Sequence, residues 1–279
     1  MSNISRAFHL IADKLHETPI SKIPGTDAVY TTISDFFAPT TDEPMSIDYR
    51  GYDLQIQPGD FVSDQIYKQQ YYEREVSEVI KEWVTEGSTA FDIGAHIGHH
   101  TLMMHDQVGK EGRVYAFEPN PEIADLLRQT VRMNSVTNVE VEQSVLSDEA
   151  GFVNLYVDPE NSGSSSVKSS EEENEQIEVE SIQLSEYIAE NEINHIDFVK
   201  MDVQGAEINI IRDISQQLDW FETILLEVHT GTYLSDSEAE EIHMVLDKKG
   251  TLYTIPNMEE CGIEDMKQKT DHHILWLSD

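Results

Sequence analysis

From residue 88 to the C-terminus, short apolar runs alternate with longer stretches whose hydrophobic positions recur at helical spacing. This alternation predicts repeated strand–helix units, typical of a parallel sheet covered on both faces. The predicted strands are Thr89–Ile93, Arg113–Glu118, Val139–Ser144, Phe152–Val157, Ile177–Ser181, Asp197–Asp202, Thr223–His229, Thr251–Ile255 and His272–Leu277. The predicted helices are Gly98–Val108, Pro121–Asn134, Leu184–Glu190, Ala206–Asp213 and one from the capping box at Ser235 to Lys249. The last two strands lack an intervening helix, which predicts an antiparallel pair at one edge of the sheet.

The chain before this region follows a different pattern. Residues 1–15 carry an apolar face at helical spacing, and the stretch up to Pro44 has little periodicity, which predicts a short helix and an irregular arm. Met45–Tyr49 and Tyr52–Ile56 predict a hairpin. A single helix is predicted over Ser63–Glu86. We therefore expect an N-terminal extension, residues 1–60, followed by an α/β domain, residues 61–279.

Acidic residues outnumber basic ones by 54 to 18 among 279 residues, which gives a net charge of −36. A field this negative repels phosphate backbones and anionic lipids, which argues against nucleic acid and a membrane surface as partners. The acids are spread along the chain, and in molar salt the Debye length falls to about 3 Å, so their repulsion is screened. The composition therefore favours adaptation to high salt over an ordinary acidic cytoplasmic enzyme.

The sequence argues against cysteine chemistry and membrane insertion. Cys261 is the single cysteine, so neither an internal disulfide nor a cysteine-based zinc site is expected. No stretch approaches the roughly 20 apolar residues of a membrane span. Residues 1–15 contain charged side chains and lack the apolar block of a signal peptide. We expect a cytoplasmic protein.

The most informative stretch is the turn that ends the strand at Thr89–Ile93. Asp92 stands near the strand end, and Gly94 and Gly98 frame a turn in which backbone N–H groups can approach a ligand closely. The next strand ends in Glu118, and this order of strand, glycine turn, helix, strand and acid predicts a cofactor with a ribose. An acid ahead of the turn, instead of the dinucleotide pattern G-x-G-x-x-G, favours a cationic, amine-bearing cofactor. S-adenosylmethionine is such a cofactor, so the pattern points to methyl transfer.

Several motifs in a fixed order resemble one known family. They are FDIGAHIGHHTL at 91–102, VYAFEPNP at 114–121, SVLSDEAG at 144–151, SGSSS at 162–166, FVKMDVQGAE at 198–207 and LLEVH at 225–229. Together they resemble the Rossmann-like, class I S-adenosylmethionine-dependent methyltransferases, and specifically the FkbM family. The resemblance covers about residues 60–255. It implies a mostly parallel seven-stranded sheet with an antiparallel last strand, and O-methylation of a sugar, polyketide or similar small acceptor.

The cofactor-binding residues are assigned along these motifs. The turn would receive the methionine end of the cofactor, Glu118 would accept hydrogen bonds from both ribose hydroxyls, and the segment after the third strand would meet adenine. At the adenine, either Asp148 accepts from the exocyclic amine or Val145 and Leu146 pack on the ring. The predicted set is Asp92, Gly94, Ala95, His96, Gly98, Glu118, Pro119, Ser147 and Asp148. His96 departs from the glycine that the wider class often has at this position.

The predicted catalytic residues are Lys200, Asp202 and His229. Lys200 and Asp202 are two residues apart on one strand, so both side chains project to the same face. A buried lysine is costly unless it is paired, which predicts a cluster of Lys200, Asp202 and Glu207; the alternative is a lysine that reaches solvent. For a hydroxyl acceptor, His229 or Asp202 would be the base. A carboxylate acceptor would need no base, and Lys200 would supply a cation.

No metal site is predicted. His96, His99, His100 and His105 lie close together in sequence, but His96 falls in the turn and no acidic third ligand is near. The weaker alternative is a divalent cation bound by oxygen atoms of Asp202, Glu207 and Glu227.

The function predicted from these observations is an S-adenosylmethionine-dependent O-methyltransferase. Its acceptor would be a sugar, free or on a lipid-linked glycan, methylated at a hydroxyl or a uronic-acid carboxylate during surface-glycan synthesis in a halophile. The alternatives are a methyltransferase of a non-sugar metabolite and a dinucleotide-dependent oxidoreductase. Nucleic acid and stable membrane insertion are not expected, and the N-terminal extension is a candidate surface for a homodimer.

Overall fold

The computed structural model of the chain describes residues 41, 43–158, 161–168 and 175–279. The helix and most of the arm predicted before residue 45 lie outside these residues. The strands are β1 (Met45–Tyr49), β2 (Tyr52–Ile56), β3 (Thr89–Ile93), β4 (Arg113–Phe117), β5 (Val139–Glu142), β6 (Val145–Ser147), β7 (Gly151–Val157), β8 (Glu175–Gln183), β9 (Ile196–Met201), β10 (Phe221–Val228), β11 (Gly250–Thr254), β12 (Glu259–Glu260) and β13 (His272–Ser278). The helices are α1 (Phe61–Gln69), α2 (Arg74–Trp83), α3 (His99–Val108), α4 (Pro121–Met133), α5 (Leu184–Glu190), α6 (Glu207–Ile214), α7 (Asp236–Leu246) and α8 (Ile263–Met266).

The main sheet has the strand order β12-β11-β13-β10-β9-β3-β4-β5. The strands from β10 to β5 run parallel, and β13 lies antiparallel between β10 and β11. The predicted seven-stranded sheet with a reversed last strand is therefore confirmed. The two-residue β12 adds an eighth strand beside β11, at the edge.

The strand order reverses at β3. From β3 the chain proceeds to β4 and β5 on one side, and it later returns to β9 and β10 on the other. The loops after β3 and β9 therefore diverge and leave a crevice at the carboxyl ends of these strands, which is where open α/β sheets bind ligands.

Apolar side chains fill both faces of the sheet. Phe91 and Val199 belong to one buried cluster, whereas their chain neighbours Ala90 and Phe198 belong to another. Successive residues of a strand point to opposite faces, so each central strand is apolar almost throughout. Because both faces of the sheet are buried, the ends of the central strands, where the polar site residues lie, are held in place.

The helix predicted over Ser63–Glu86 is wrong as a single element, because the structure divides it into α1 and α2. Gln70 and Glu73 have φ values of 59° and 46°, which end one helix and precede the next. The two helices bury their apolar faces in different clusters: α1 packs with the hairpin, and α2 packs against the sheet. Hydrophobic spacing alone does not show a change of packing partner. The break has a consequence for function, because it brings Tyr72 and Glu73 to the crevice.

The predicted strand Val139–Ser144 also ends early. It leaves the main sheet after Glu142, and β6 pairs with β8 in a separate three-stranded sheet of order β6-β8-β7. The segment that contains the SGSSS motif at 162–166 forms a short 3₁₀ turn at Ser162–Ser164, and residues 169–174 lie outside the described part of the chain.

The hairpin predicted from the sequence is confirmed as β1 and β2. Leu54 and Ile56 share a buried cluster with Leu102 of α3 and Ile123 of α4. The hairpin therefore packs directly on the α/β domain, and the boundary at residue 60 stays a prediction. Among the described residues, no helix combines the length and apolar composition needed to cross a bilayer.

Candidate active site

A cavity of about 380 Å³ lies at the carboxyl ends of β3, β4, β9 and β10. The predicted site residues that line it are Gly94, His96, Glu118, Pro119, Lys200, Asp202 and His229. Tyr72 and Glu73 line it as well and were not predicted from the sequence. Ser162, from the SGSSS motif, and Glu227, named above only as a ligand of the alternative cation, also line it. This size is within the usual range of small-molecule pockets, and the mix of apolar and converging polar groups is typical of them.

The turn after β3 requires glycine at its first position. Gly94 has a φ of 79°, and a Cβ atom there would lie 1.8 Å from the backbone oxygen of Asp202. The N–H groups of Gly94 and Ala95 both donate to the Phe117 carbonyl at 3.0 Å. Strands β3, β4 and β9 therefore meet at this turn, and backbone atoms form the adjacent wall of the cavity.

Gly94→Ala is expected to lower the free energy of unfolding by about 1–3 kcal/mol, because the new methyl group must displace the β9 backbone. Gly59→Ala is the matched control, since Gly59 also has a positive φ, 89°, but no atom lies within 4 Å of the added Cβ. Urea unfolding of both variants measures the difference. Equal losses would show that the left-handed backbone, and not the contact with Asp202, decides the requirement.

Glu118 is buried at the end of β4 and holds the turn. Its Oε2 accepts the His96 backbone N–H at 2.9 Å, and its Oε1 accepts the Asn120 N–H at 2.9 Å. Each carboxylate oxygen retains a further lone pair for a ribose hydroxyl. Burial raises the pKa of Glu118 to about 7, although the two backbone hydrogen bonds oppose this shift.

Cofactor affinity should therefore rise with pH around neutrality. When the pH is below this pKa of about 7, the Glu118 carboxyl is protonated and loses part of its capacity to accept hydrogen bonds. At higher pH the carboxylate would accept hydrogen bonds from both ribose hydroxyls. Between pH 6 and pH 8 we expect about a tenfold gain in affinity, which follows from the change in the ionised fraction. Calorimetry with adenosine tests this, because adenosine carries the diol without the methionine groups that also titrate. A flat profile would contradict the role of Glu118.

Lys200 connects β9 to the glycine turn. Its Nζ donates to the Gly94 carbonyl at 2.9 Å and lies 3.7 Å from both Asp92 Oδ1 and Asp202 Oδ2. Burial would lower the pKa of Lys200, but Asp202 and then Asp92 outweigh it and hold this pKa above its ordinary value. Asp92 is fully buried and also accepts the Thr101 hydroxyl at 2.6 Å. Asp92 therefore acts behind the turn, without lining the cavity.

The predicted cluster of Lys200, Asp202 and Glu207 is wrong in its third member. Glu207 is the first residue of α6, and this position directs its carboxylate to the end of β10, 3.7 Å from His229 Nδ1. His229 Nε2 lies 3.4 Å from Glu227 Oε1. Burial lowers the pKa of His229, but the neighbouring carboxylates of Glu207, Glu227 and Asp202 raise it to about 11. Since His229 then keeps its proton at neutral pH, it cannot act as the base in that state. Burial would raise the pKa of Asp202, but Lys200 and His229 hold it below its ordinary value, so Asp202 is the ionised candidate for the base.

The serine-rich loop is fixed to the cavity by Asp60. Asp60 Oδ1 accepts from the Ser162 N–H at 2.8 Å and from its hydroxyl at 2.7 Å, and Ser162 Oγ lies 2.6 Å from His96 Nε2. Asp60 is also the N-cap of α1. An aspartate that caps a helix is a local pattern visible in the sequence. The contact of Asp60 with a residue 102 positions away is a tertiary feature that the sequence does not show.

Besides Asp92, two groups of predicted residues do not line the cavity. Ser147 and Asp148 bond to each other, Oγ to Oδ1 at 3.2 Å, while Ser144, Val145 and Leu146 line the wall. The chain turns into β6 at this point and directs the apolar residues inward, so packing by Val145 and Leu146 is the better account of an adenine contact. Ala95 and Gly98 shape the turn from behind, and a Cβ atom on Gly98 would lie 2.2 Å from Leu127 Cδ1.

The fold and this cavity together define a class I S-adenosylmethionine-dependent methyltransferase domain. The family model described as "Methyltransferase FkbM domain" matches residues 92–253, more than half of the 279 residues. The chain belongs to the FkbM methyltransferase family. A second model, of protein-L-isoaspartate(D-aspartate) O-methyltransferases, matches residues 30–150. The predicted family and its S-adenosylmethionine cofactor are confirmed.

Several known methyltransferases match this chain at low identity. The hexuronic acid methyltransferase AglP of Haloferax volcanii is 24% identical over 159 residues, which cover 57% of this chain and 63% of the relative. The methyltransferase sdnD of Sordaria araneosa is 25% identical over 190 residues, which cover 57% of this chain and 71% of the relative. A solved S-adenosylmethionine-dependent O-methyltransferase of Thermotoga maritima is 15% identical, with a TM-score of 0.44, over 77% of this chain and 70% of that one. The match therefore spans less than two thirds of the Haloferax volcanii protein.

Proposed function

We propose that this protein transfers the methyl group of S-adenosylmethionine to a hydroxyl oxygen of a sugar. The observation that carries this proposal is the shared cavity, which has Glu118 at one wall and Asp202, Glu227 and His229 at another. The cofactor would lie along the turn with its ribose on Glu118, so that its sulfonium group comes near Asp202. The carboxylates at that wall would stabilise the positive charge.

The reaction is an in-line displacement. A lone pair of the acceptor oxygen forms the new C–O bond, the S–CH₃ bond breaks with its electron pair going to sulfur, and S-adenosylhomocysteine leaves. The hydroxyl proton passes to the Asp202 carboxylate. Positioning of the two reactants would contribute about 7–11 kcal/mol, and a base typically adds about 10²–10⁴-fold.

The acidic wall favours a hydroxyl acceptor. Asp202 and Glu227 face the cavity, and the two cations beside them, Lys200 and the protonated His229, already lie within 4 Å of carboxylates. An acceptor carboxylate would find neither of these cations free to bind it. A uronic-acid carboxylate is nevertheless the second candidate, because the Haloferax volcanii relative is named a hexuronic acid methyltransferase.

A glycan comparison tests the proposal. Glycans and lipid-linked oligosaccharides from cells with and without the gene are compared by mass spectrometry, and the purified protein is then supplied with S-adenosylmethionine and the unmethylated glycan. We expect the gain of one methyl group on a sugar, stable to mild alkali because it is an ether. An alkali-labile methyl group would be an ester and would support the second candidate. Methylation confined to non-sugar metabolites would contradict both.

We propose further that the protein works in the salt-rich cytoplasm of a halophile and that its acceptor is a glycan assembled on a lipid carrier. We also propose that residues 1–60 contribute to the interface of a homodimer. The net charge of −36 supports the first statement. Light scattering of the full chain tests the last.

Stability should therefore increase with salt. Raising KCl from 0.1 M to 1 M shortens the Debye length from about 10 Å to about 3 Å and screens the repulsion among surface carboxylates. We expect a gain of at least about 1 kcal/mol in the free energy of unfolding, measured by urea unfolding at each salt concentration. A stability that stays flat or falls would contradict adaptation to high salt.

A further inference from the structure

Two neighbouring histidines at the start of α3 lack hydrogen-bond partners. The side chains of His99 and His100 are 4% and 1% exposed, and none of their four ring nitrogens has a partner. Their ring centroids are 3.9 Å apart. The Tyr72 ring packs edge-on against the His99 ring and forms no hydrogen bond with it.

Unpaired imidazoles in a protein interior require an explanation. Each ring has at least one N–H donor, and a buried polar group without a partner costs about 1–3 kcal/mol. Neutral imidazole nitrogens are also the commonest metal ligands in proteins. A bound ion would satisfy one nitrogen of each ring at once.

The break between α1 and α2 supplies the acidic ligand that the sequence did not show. It places Glu73 Oε2 3.9 Å from His100 Nδ1, and the candidate ligand atoms of Glu73, His99 and His100 lie within 4.8 Å of one another. Two nitrogen ligands and one carboxylate suit zinc and similar transition metals better than magnesium or calcium, which prefer oxygen throughout.

We propose that Glu73, His99 and His100 bind one divalent transition-metal ion of the zinc type. Ligand atoms around tetrahedral zinc are about 3.4 Å apart, as metal–ligand lengths near 2.1 Å require. Binding would therefore draw the partly exposed Glu73 side chain inward. Glu73 and His99 line the cavity, so the ion would lie at its wall.

The ion would also have a chemical role there, and this part rests on the proposed function. Three protein ligands leave a fourth position for water or an acceptor oxygen. A sugar hydroxyl bound at that position would lose its proton more readily, because the ion stabilises the developing negative charge.

Other groups of potential ligands in the described residues are less suited. His195, Asp197 and Glu222 form an exposed group at the protein surface. Asp202, Glu227 and His229 form a group in the cavity, but Asp202 Oδ1 and His229 Nε2 already contact the Gln204 amide at 2.8 and 3.0 Å.

Metal binding can be measured without activity. The full-length protein is treated with a chelator, dialysed, and titrated with Zn²⁺ by calorimetry and with Co²⁺ by visible absorption, in which tetrahedral coordination gives an intense band. We expect one equivalent per chain, and more than about tenfold weaker binding in Glu73→Gln and His100→Gln. His195→Gln is the matched control and should bind as the unsubstituted protein does. Circular dichroism and thermal unfolding confirm that each variant is folded. Glu73→Gln tests the proposal even if His100→Gln does not fold, because the Glu73 side chain is 16% exposed.

Three results would overturn the proposal. They are the absence of Zn²⁺ binding, unchanged affinity in Glu73→Gln, and a loss of affinity in Asp202→Asn that Glu73→Gln does not share. Titration of the metal-free protein with S-adenosylhomocysteine separates the two proposals. Binding of this product without any metal affinity would reject the metal site alone, whereas no binding of the product would reject the proposed methyl transfer.

Discussion

Glu118→Ala is expected to weaken the binding of S-adenosylmethionine and S-adenosylhomocysteine by at least about 100-fold. Hydrogen bonds to a charged group contribute about 1.5–3 kcal/mol each, and the variant loses two that the ribose hydroxyls would make. It also removes the acceptor of the His96 and Asn120 backbone N–H groups, so the turn itself loosens. Calorimetry with each ligand gives the affinity.

The control for this variant is Glu122→Ala. Glu122 is an exposed acid four residues further along, in the first turn of α4, and its removal should leave affinity unchanged. Thermal unfolding of Glu118→Ala must show a folded protein before its affinity is interpreted. Retained affinity in the folded variant would reject Glu118 as the ribose ligand, and with it the orientation of the cofactor proposed above.

Lys200→Met should lower the free energy of unfolding by about 3–5 kcal/mol, the usual cost of leaving a buried charge without its partner. Asp92 is fully buried, and the ammonium is the cation closest to it; Asp202, 19% exposed, keeps some contact with solvent. Urea unfolding measures the loss. Lys81→Met is the control, because the exposed Lys81 lies 3.8 Å from Glu78, and surface pairs contribute at most about 1 kcal/mol.

The double variant Lys200→Met with Asp92→Asn identifies the cause. Neutralising Asp92 removes the unpaired charge, so the double variant should recover more than half of the stability lost in Lys200→Met. If the double variant is as unstable as Lys200→Met alone, the loss comes from packing of the lysine side chain or from its bond to the Gly94 carbonyl.

Much of the fold could be predicted from local pattern. Apolar strands such as Phe221–Val228 and the capped start of α7 at Ser235 carry their signals within a few residues. The two errors arose where packing partners change. The hydrophobic spacing around Gln70 predicts one continuous helix, but α1 and α2 pack on different clusters. The apolar pattern continues beyond Glu142, but the chain leaves the main sheet there.

The residues of the site differ in the same way: some could be assigned from sequence, whereas the contacts of others depend on tertiary packing. Gly94 and Glu118 were assigned from sequence because a strand, a turn and an acid occur in a short, ordered segment. The partner of Glu207 and the proton held by His229 could not be assigned, since both depend on the direction in which α6 leaves β9. The position of Glu73 beside His100 depends on a helix break whose cause is tertiary.

By itself, the sequence determined the strand–helix order and the glycine turn with its acid, because each is set by residues that are neighbours in the chain. The reversed last strand was implied by the family resemblance and by two closing strands without a helix between them. The tertiary structure alone decided which polar groups meet: Lys200 with Asp92, His229 with Glu207, and Glu73 with the two histidines of α3. The physical reason is the distance over which each kind of interaction acts. Backbone geometry and hydrophobic periodicity act over a few residues, whereas the pKa of a buried group depends on whatever charges the folded chain brings within a few ångströms.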